Sequence, residues 1–177
     1  EVKTSLEWKK YGEEKKPASC YFDNDPSNEK LYGKLYNWYA VNDPRGLAPE
    51  GWHLPSDREW TVLTAYLGEQ EIRDETEEGV AILYTPKAGG KMKSTGTHYW
   101  KSPNKQATNS SGFSGLPGGI RYTNGRFDYF GSYGCWWSSS ESGVYNAFSR
   151  YLYFTNSGVL RGDDLKSYGL SVRCLKD

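Results

Sequence analysis

The stretch SRYLYFTNSGVLRGDDLKSYG, residues 149–169, alternates with a period of two residues in its first half. One parity, counted from Phe148, continues with Arg150, Leu152 and Phe154. The other parity carries Ser149, Tyr151, Tyr153 and Thr155. A period of two predicts a β-strand with two different faces. The second face carries tyrosines among small polar residues, where a solvent face usually carries lysine and glutamate.

The first parity predicts a core face. Phe148, Leu152 and Phe154 are expected to pack against helices, and Arg150 among them needs a carboxylate or carbonyl partner because an unpaired buried charge is costly. Further strands are predicted by short apolar runs between turn residues. They cover residues 119–122, 126–129, 136–139, 147–155, 158–161 and 170–175, with Asn124-Gly125 as a hairpin turn between the first two.

Two helices are predicted. Leu35, Trp38 and Tyr39 have helical spacing within residues 33–41, and the second helix begins at the capping box of Ser56 and Glu59 and ends at Gly68. The acidic stretch 69–78 is predicted to be a solvated excursion. The stretch 89–119 is rich in Gly, Ser, Thr, Asn and Pro, which indicates long ordered loops.

Length and charge restrict the function. The chain has 177 residues, which suits one domain, and its 22 basic and 22 acidic residues give no basic stripe for nucleic acid. No apolar run is long enough to span a membrane. The 15 tyrosines, 7 tryptophans, 6 phenylalanines and 20 glycines favour a β-rich, loop-rich domain or a surface built for contact. Three cysteines allow at most one internal disulfide.

Motifs for catalysis and metal binding are weak. His53 is interpreted as a structural residue that hydrogen-bonds to backbone, because catalysis needs a positioned partner. Asp23-Asn24-Asp25 could offer oxygens to calcium, but Lys34 stands where the EF-hand spacing requires glutamate, so an Asx-stabilised turn is favoured. Trp136 and Trp137 should point to opposite faces of a strand, one into the core. No catalytic residue, metal site or cofactor is therefore predicted.

Six blocks of sequence carry a family resemblance. They are YGKLYNWYAV (32–41), PEGWHLPSDREW (49–60), GGKMKSTGTHYW (89–100), SSGFSGLPGGIRY (110–122), GSYGCWWSSSE (131–141) and GLSVRCLKD (169–177). In this order they resemble the Fibrobacter succinogenes major paralogous domain family. The resemblance implies an α+β fold similar to C-type lectins and formylglycine-generating enzymes, with two helices packed on a twisted antiparallel sheet and long ordered loops.

The resemblance also implies how the chain is organised. Residues 1–177 would form a single domain with an N-terminal extension at 1–19, and residues 170–174 would be a central strand with Leu170, Val172 and Cys174 facing inward. The family more often has an aromatic residue in place of Cys135, which favours pairing of Cys20 with Cys174. Relatives look like secreted proteins and lipoproteins of bacteria. An extracellular or cell-surface location is therefore expected, with any signal or lipid anchor lying upstream.

The resemblance favours a non-catalytic ligand-binding domain of adhesin or receptor type. The calcium-and-sugar triplets of lectins are absent, and so is the close cysteine pair of the formylglycine-generating relatives. The expected partner is a protein or glycan on another cell or surface. Two alternatives remain open, an enzyme related to formylglycine generation and a structural envelope or fimbrial subunit.

The ligand site is predicted on the tyrosine parity and the loop after it, because Tyr with Ser, Gly and Asp is the composition of an antibody-like paratope. Its residues would be Ser149, Tyr151, Tyr153, Thr155, Leu160, Gly162, Asp163, Asp164, Leu165, Ser167 and Tyr168. We expect Tyr151, Tyr153, Asp163, Asp164 and Tyr168 to be solvent-exposed on one face. The alternative is an ordinary β-meander with exposed tyrosines.

The same region resembles the targets of diversity-generating retroelements. Those systems randomise adenines in asparagine-type codons, so a diversified position never shows Lys, Glu, Gln, Met or Trp. Residues 142–168 contain only one residue of these five types, Lys166, which is assigned to the scaffold.

Overall fold

The computed structural model describes residues 1–75 and 81–177, which form an α+β structure. The helices in these ranges are α1 (Ser5–Glu13), α2 (Glu29–Tyr32), α3 (Trp38–Val41), α4 (Asp57–Leu67) and α5 (Ala88–Met92). The strands are β1 (Ser19–Cys20), β2 (Leu35–Tyr36), β3 (Trp52–His53), β4 (Ile72–Glu75), β5 (Ala81–Thr85), β6 (Ile120–Arg121), β7 (Phe127–Asp128), β8 (Tyr133–Glu141), β9 (Asn146–Tyr153), β10 (Val159–Leu165) and β11 (Leu175–Lys176).

A five-stranded antiparallel sheet with the order β4-β5-β10-β9-β8 organises the described residues. Its long strands β8, β9 and β10 confirm three of the predicted strands, although β10 continues to Leu165 rather than ending at 161. Three two-stranded sheets, β1-β2, β3-β11 and β6-β7, surround it. The pair β6-β7 confirms the predicted hairpin, in which Gly125 has a φ of 84°.

Strand β9, which lies between β10 and β8, is buried on both faces. On one face Trp136, Leu152 and Val159 pack against Trp60 of α4 and Met92 of α5. On the other face lies a second buried cluster, which we call the tyrosine-side core; it contains Trp38, Val41, Ile120, Cys135, Trp137, Ala147, Tyr151 and Leu170. Both adjacent tryptophans are therefore core residues.

The tyrosine parity is not a solvent face, so the predicted exposure of Tyr151 is wrong. The Tyr151 side chain is only 8% exposed, and Ser149 is fully buried. The reason is that Ile120 and Leu170, which come from distant parts of the sequence, cover this end of the sheet. Only toward Tyr153 and Thr155 does the same parity reach solvent.

Arg150 has the carboxylate or carbonyl partner that was predicted for it. Asp57, the first residue of α4, provides both groups. The Arg150 Nη1 atom donates to Asp57 Oδ1 at 2.8 Å, and its Nη2 atom donates to the Asp57 carbonyl at 3.1 Å. Arg161 on β10 binds the same carboxylate through its Nε atom at 2.9 Å. Although partial burial raises the pKa of Asp57, the hydrogen bonds from Arg161 and Arg150 outweigh it and hold that pKa below its usual value of 3.8.

The predicted second helix is confirmed as α4, and the first is wrong in its first half. Ser56 and Glu59 form both hydrogen bonds of the capping box. Residues 35–36, in contrast, form β2, and the helical turn α3 begins only after Asn37, whose Oδ1 atom accepts from the Ala40 amide. Asn37 also binds Ala18 and Lys16 through its side chain, which holds the chain extended before the turn.

Residues 1–19, predicted as an N-terminal extension, contain α1 and strand residue Ser19. Thr4 and Glu7 form a capping box at the start of α1. Val2 and Trp8 are buried together with Cys20 and other apolar side chains. The Trp8 indole also donates to the Ser167 carbonyl at 3.1 Å, so this segment contacts the end of the predicted site region.

The predicted central strand at 170–174 is wrong. Leu170 makes one antiparallel bridge to Tyr36 and Ser171 makes one parallel bridge to Trp136, after which the chain leaves to pair β11 with β3. Because each bridge has a different partner strand, no ladder forms. Leu170 is fully buried, whereas Val172 and Cys174 are half-buried.

Two smaller predictions also fail. All three cysteines, each in the described part of the chain, are unpaired, so the disulfide of Cys20 with Cys174, expected if any pair exists, is not formed. The acidic stretch 69–78 is not only an excursion, because residues 72–75 pair as β4 with β5. The rest of that prediction, residues 76–78, lies outside the described residues.

We expect Asp57→Asn to lower the free energy of unfolding by about 3 kcal/mol at neutral pH, because it leaves two guanidinium groups without their carboxylate. The pKa of Asp57 is lowered in the folded state, so its stabilisation is present above pH 3.8 and is lost as the pH falls further. The difference between the two proteins should therefore shrink in acid. Urea unfolding between pH 3 and 7 measures it. The exposed Glu50→Gln serves as control, and equal losses from both variants would contradict the network's role.

Candidate functional site

A cavity of about 430 Å³ opens where the tyrosine parity of β9 reaches solvent. We call it the tyrosine cavity. Its lining combines β8, β9, β10 and the β6-β7 hairpin region with the loop that follows β10. The lining residues are Ile120, Tyr122, Tyr129, Tyr133, Tyr151, Tyr153, Leu160, Arg161, Gly162, Asp163, Asp164 and Tyr168.

Six tyrosine rings of the cavity contact one another. Tyr129 stacks on Tyr133 with 4.1 Å between ring centroids and an angle of 8° between the planes. Tyr133 meets Tyr153 edge to face at 4.6 Å, and Tyr153 stacks against Tyr151 at 6.0 Å. Tyr122 continues the series to Tyr129 and, edge to face at 5.3 Å, to Tyr168. Such contacts fix the ring orientations before any ligand arrives.

Strand pairing places these rings. Tyr153 lies opposite Tyr133 of β8, and Tyr151 lies opposite Leu160 of β10, so their side chains project to one face. Gly162 is required between them because a Cβ atom there would collide with the Ser149 hydroxyl and the Tyr151 ring. The missing side chain leaves the space in which the cavity lies.

One carboxylate, that of Asp164, forms the polar side of the cavity. It accepts hydrogen bonds from the hydroxyl groups of Ser149 and Tyr151. The side chain of Asp163, the preceding residue of β10, projects to the opposite face of the sheet and accepts from the Ser142 hydroxyl at 2.6 Å. Burial of Asp164 raises its pKa above the usual value of 3.8, and the nearby Asp163 adds to this. Within residues 1–75 and 81–177, neither carboxylate has an ion-pair partner within 4 Å.

The phenols and the thiol of this region stay neutral. Burial raises the pKa values of Tyr122, Tyr151 and Tyr153, so each keeps its hydroxyl proton and can donate a hydrogen bond. Burial likewise raises the pKa of Cys135, which is 1% exposed and lies opposite Tyr151 in the pairing of β8 with β9. A thiol that is buried and protonated is a poor nucleophile.

The cavity brings together seven of the eleven predicted site residues: Tyr151, Tyr153, Leu160, Gly162, Asp163, Asp164 and Tyr168. Ser149 lies buried beneath them and Thr155 is exposed but does not line the cavity. Leu165 and Ser167 line a different hollow of about 350 Å³, together with Tyr39 and Tyr145. The binding role of all eleven stays a prediction.

The predicted site does not include five lining residues, which are Ile120, Tyr122, Tyr129, Tyr133 and Arg161. The tyrosines at 122 and 129 flank the hairpin turn that the sequence did predict. Tyr133 precedes the GCWW stretch, and the same alternation that continues through Cys135 and Trp137 places it on the tyrosine side. The clustering of aromatic residues around a hairpin was therefore the available signal.

Lys166 is buried and holds two segments of the chain together, in agreement with its assignment to the scaffold. Its ammonium group donates to the carbonyls of Gly143 and Val144, each at 3.0 Å, and lies 3.1 Å from Glu141. It also lies 4.8 Å from the centroid of the Trp38 ring. These contacts hold the β8-β9 turn against the segment that follows β10.

His53 does not hydrogen-bond to backbone as predicted. Its Nδ1 atom lies 2.6 Å from Asp177 Oδ1 and its Nε2 atom lies 2.9 Å from Glu59 Oε1. Hydrogen bonds to Asp177 and then Glu59 raise the pKa of His53 above 6.5. The reason for the difference is the pairing of β11 with β3, which brings the Asp177 carboxylate to a histidine already beside α4.

The Asp23-Asn24-Asp25 segment forms turns, as predicted. Asp25 Oδ1 accepts from the Ser27 amide at 2.9 Å at the start of a short 3₁₀ turn. Over residues 1–75 and 81–177, no three His, Cys, Asp or Glu side chains are grouped to hold a metal ion. No helix in that part is long and apolar enough to cross a membrane.

Comparison with known proteins identifies the family. The family model described as the Fibrobacter succinogenes major domain matches residues 2–176, nearly the whole chain, which confirms the resemblance carried by the six blocks. Comparisons with curated proteins and with solved structures found no match.

We expect Tyr151→Ala and Tyr168→Ala to differ in their effect on folding. Tyr151 is 8% exposed within the core, so its removal should lower the free energy of unfolding by about 3 kcal/mol or more. Tyr168 is half-buried at the rim, so its removal should cost about 1 kcal/mol. The midpoints of urea unfolding measure both losses of stability, provided that the dependence of the unfolding free energy on urea concentration is the same in both variants. A Tyr151 variant as stable as the Tyr168 variant would show that the tyrosine-side core does not depend on this ring.

Proposed function

We propose that this chain, which belongs to the Fibrobacter succinogenes major domain family, is a non-catalytic ligand-binding domain of adhesin or receptor type. The tyrosine cavity is its proposed binding site. One observation carries the proposal: six tyrosine rings in mutual contact line a single open cavity of about 430 Å³. Cavities that bind small ligands or ligand side chains commonly have this volume.

The physical basis is rigidity. Tyrosine supplies a large contact area with few rotatable bonds, so little entropy is lost on binding. Here the rings of Tyr133, Tyr151 and Tyr153 rise from paired strands, and one of the strands is buried on both faces. A site on such a floor has its geometry fixed before the ligand binds, which reduces the cost of binding.

The absence of catalysis is part of the proposal. An enzyme related to formylglycine generation would need an accessible reactive thiol, whereas Cys135 lies under the cavity with its pKa raised by burial. Copper-dependent peptide oxidation that disappears in Cys135→Ser would favour the enzyme instead. A structural envelope or fimbrial subunit would be favoured by polymerisation of the purified protein without ligand binding.

The proposed partner is a protein or glycan on another cell or surface, and the proposed location is outside the bacterial cytoplasm. Both rest on the family's resemblance to secreted proteins and lipoproteins. The tyrosine cavity supports the partner class only in general terms, because aromatic rings bind both sugar rings and apolar or basic side chains.

The binding site should be detectable by substitution at its rim. A glycan array and a surface-protein library, screened with the intact domain, would supply a ligand. Tyr153→Ala and Tyr168→Ala should each weaken its binding by about 2 kcal/mol or more, as expected for anchor residues. Tyr66→Ala, a change in a tyrosine that is 85% exposed on α4, should have no effect. Unchanged binding by the two rim variants would place the ligand elsewhere.

We further propose that partly exposed positions at the rim of the cavity and beside it are diversified. Replacing the adenines of an asparagine codon alters its first two bases and leaves the third, so a diversified codon ends in C or T. The diagnostic positions are Leu160 at the rim and Leu165 beside the cavity, since leucine also has codons that end in A or G. Tyrosine and aspartate codons always end in C or T and therefore decide nothing.

We expect the codons of Leu160 and Leu165 both to end in C or T when the gene is read. The codons of Leu152 and Leu170, which lie in the core, carry no such restriction and serve as the comparison. An A or G at the third base of either diagnostic codon would contradict diversification at that position.

A further inference from the structure

We infer that the tyrosine cavity receives a basic side chain of a protein ligand, with arginine favoured, whose cation lies between the tyrosine rings and the carboxylate of Asp164. The inference rests on the proposed binding function and narrows it to one ligand chemistry. It follows from the charge of the cavity, from the surroundings of the Asp164 carboxylate and from the aromatic lining.

The charge of the cavity is negative. Its tyrosine side carries one carboxylate, that of Asp164, because Arg161 and Asp163 occupy the other parity of β10 and project to the opposite face of the sheet. On that face Arg150 and Arg161 share the carboxylate of Asp57, and Asp163 adds a second negative charge near Arg161. Near the cavity's edge, Arg126 is paired with Asp128 at 2.8 Å. Among the described residues, Asp164 therefore has no cation as its partner.

The Asp164 carboxylate has capacity left for a ligand. It accepts from two hydroxyl groups, those of Ser149 and Tyr151, whereas a carboxylate offers about four lone-pair sites. The hydroxyl donors are neutral, so they orient Asp164 without compensating its charge. Burying a carboxylate without a cation is costly, and a bound cation would relieve that cost.

The tyrosine rings add attraction for the same cation. The face of an aromatic ring is negative, and a cation within about 6 Å of it is stabilised. The protein already uses this contact at the cavity's edge, where the Arg126 guanidinium lies 5.1 Å from the Tyr122 centroid. It also buries Arg121 between Trp8 and Phe127, at 4.6 Å and 4.5 Å.

Arginine is favoured among basic groups because of its shape. Its planar guanidinium can stack on a tyrosine ring while its N–H groups bind a carboxylate through two parallel hydrogen bonds. An ammonium group has no flat face for such stacking. A glycan would use the rings and the hydroxyl donors but would leave the Asp164 carboxylate uncompensated, so the charge of the cavity favours a protein ligand.

The test uses two matched peptides. The intact domain with ring-labelled tyrosine is titrated with a blocked Gly-Arg-Gly peptide and with its citrulline counterpart, which has the same shape without the charge. N-acetylglucosamine is the glycan probe. We expect the arginine peptide to shift tyrosine ring resonances saturably, with a dissociation constant on the order of millimolar. The citrulline peptide should bind at least about tenfold more weakly because it lacks the cation.

Substitutions assign the effect to the Asp164 carboxylate. Asp164→Asn should weaken the binding of the arginine peptide about tenfold and leave that of the citrulline peptide unchanged. Asp163→Asn, which removes the same charge from the opposite face of β10, is the matched control and should change the binding of either peptide much less. Dispersion of the ring resonances reports whether each variant is folded. Should Asp164→Asn unfold, the comparison of the arginine and citrulline peptides on the unaltered domain still decides the result.

The outcomes separate this inference from the proposed function. Equal binding of arginine and citrulline peptides, binding of the sugar alone, or no saturable shift with the arginine peptide up to about 50 mM, well above a millimolar constant, would each overturn the basic side chain as ligand. The proposed function would stand after any of these results, because it is tested separately by the effect of the Tyr153 and Tyr168 variants on a screened ligand.

Discussion

Buried cations that bind backbone carbonyls hold the irregular parts of this domain in place. Loops leave carbonyl groups without the partners that helices and strands provide, and buried ones must find a donor. The Lys93 ammonium group, fully buried, donates to the carbonyls of Lys105, Tyr153 and Asn156 at 2.7–3.0 Å. Burial lowers the pKa of Lys93 to about 8, because the interior disfavours the charged form of the amine. Lys166 binds two further carbonyls in the same way.

These contacts connect the loops to the candidate site. Lys93 binds the carbonyl of Tyr153, the residue whose ring projects into the cavity, and so joins the loop around residue 105 to the end of β9. Asp57 joins α4 to β9 and β10 through Arg150 and Arg161. The floor of the cavity is therefore held at two places by buried charge, and the rigidity proposed for binding follows from the same contacts that stabilise the fold.

The period-two pattern was sufficient to predict β9, because the pattern depends only on local spacing. The position of Arg150 on the core face was sufficient to predict a carboxylate or carbonyl partner, because an unpaired buried charge is costly. The pattern could not show that Tyr151 is buried, since Ile120 and Leu170 cover it from distant parts of the chain. Tyr122 and Tyr129 were missed for the same reason: a hairpin is predictable locally, but its position against the sheet is not. The spacing of Thr4 and Glu7, in contrast, is the sequence pattern of a capping box and was sufficient to predict the start of α1, which the sequence analysis did not include.

Burial also limits which positions of the site could vary. Ser149 and Tyr151 are enclosed, and Gly162 has no room for a side chain, so substitution there would disturb the sheet itself. Leu160 and Tyr168 place their side chains at the opening. Leu160 keeps its backbone paired within β10, so its side chain could change while the floor stays intact. A binding face that varies at its rim over a constant floor is thus compatible with this fold, whereas variation over the whole predicted site is not.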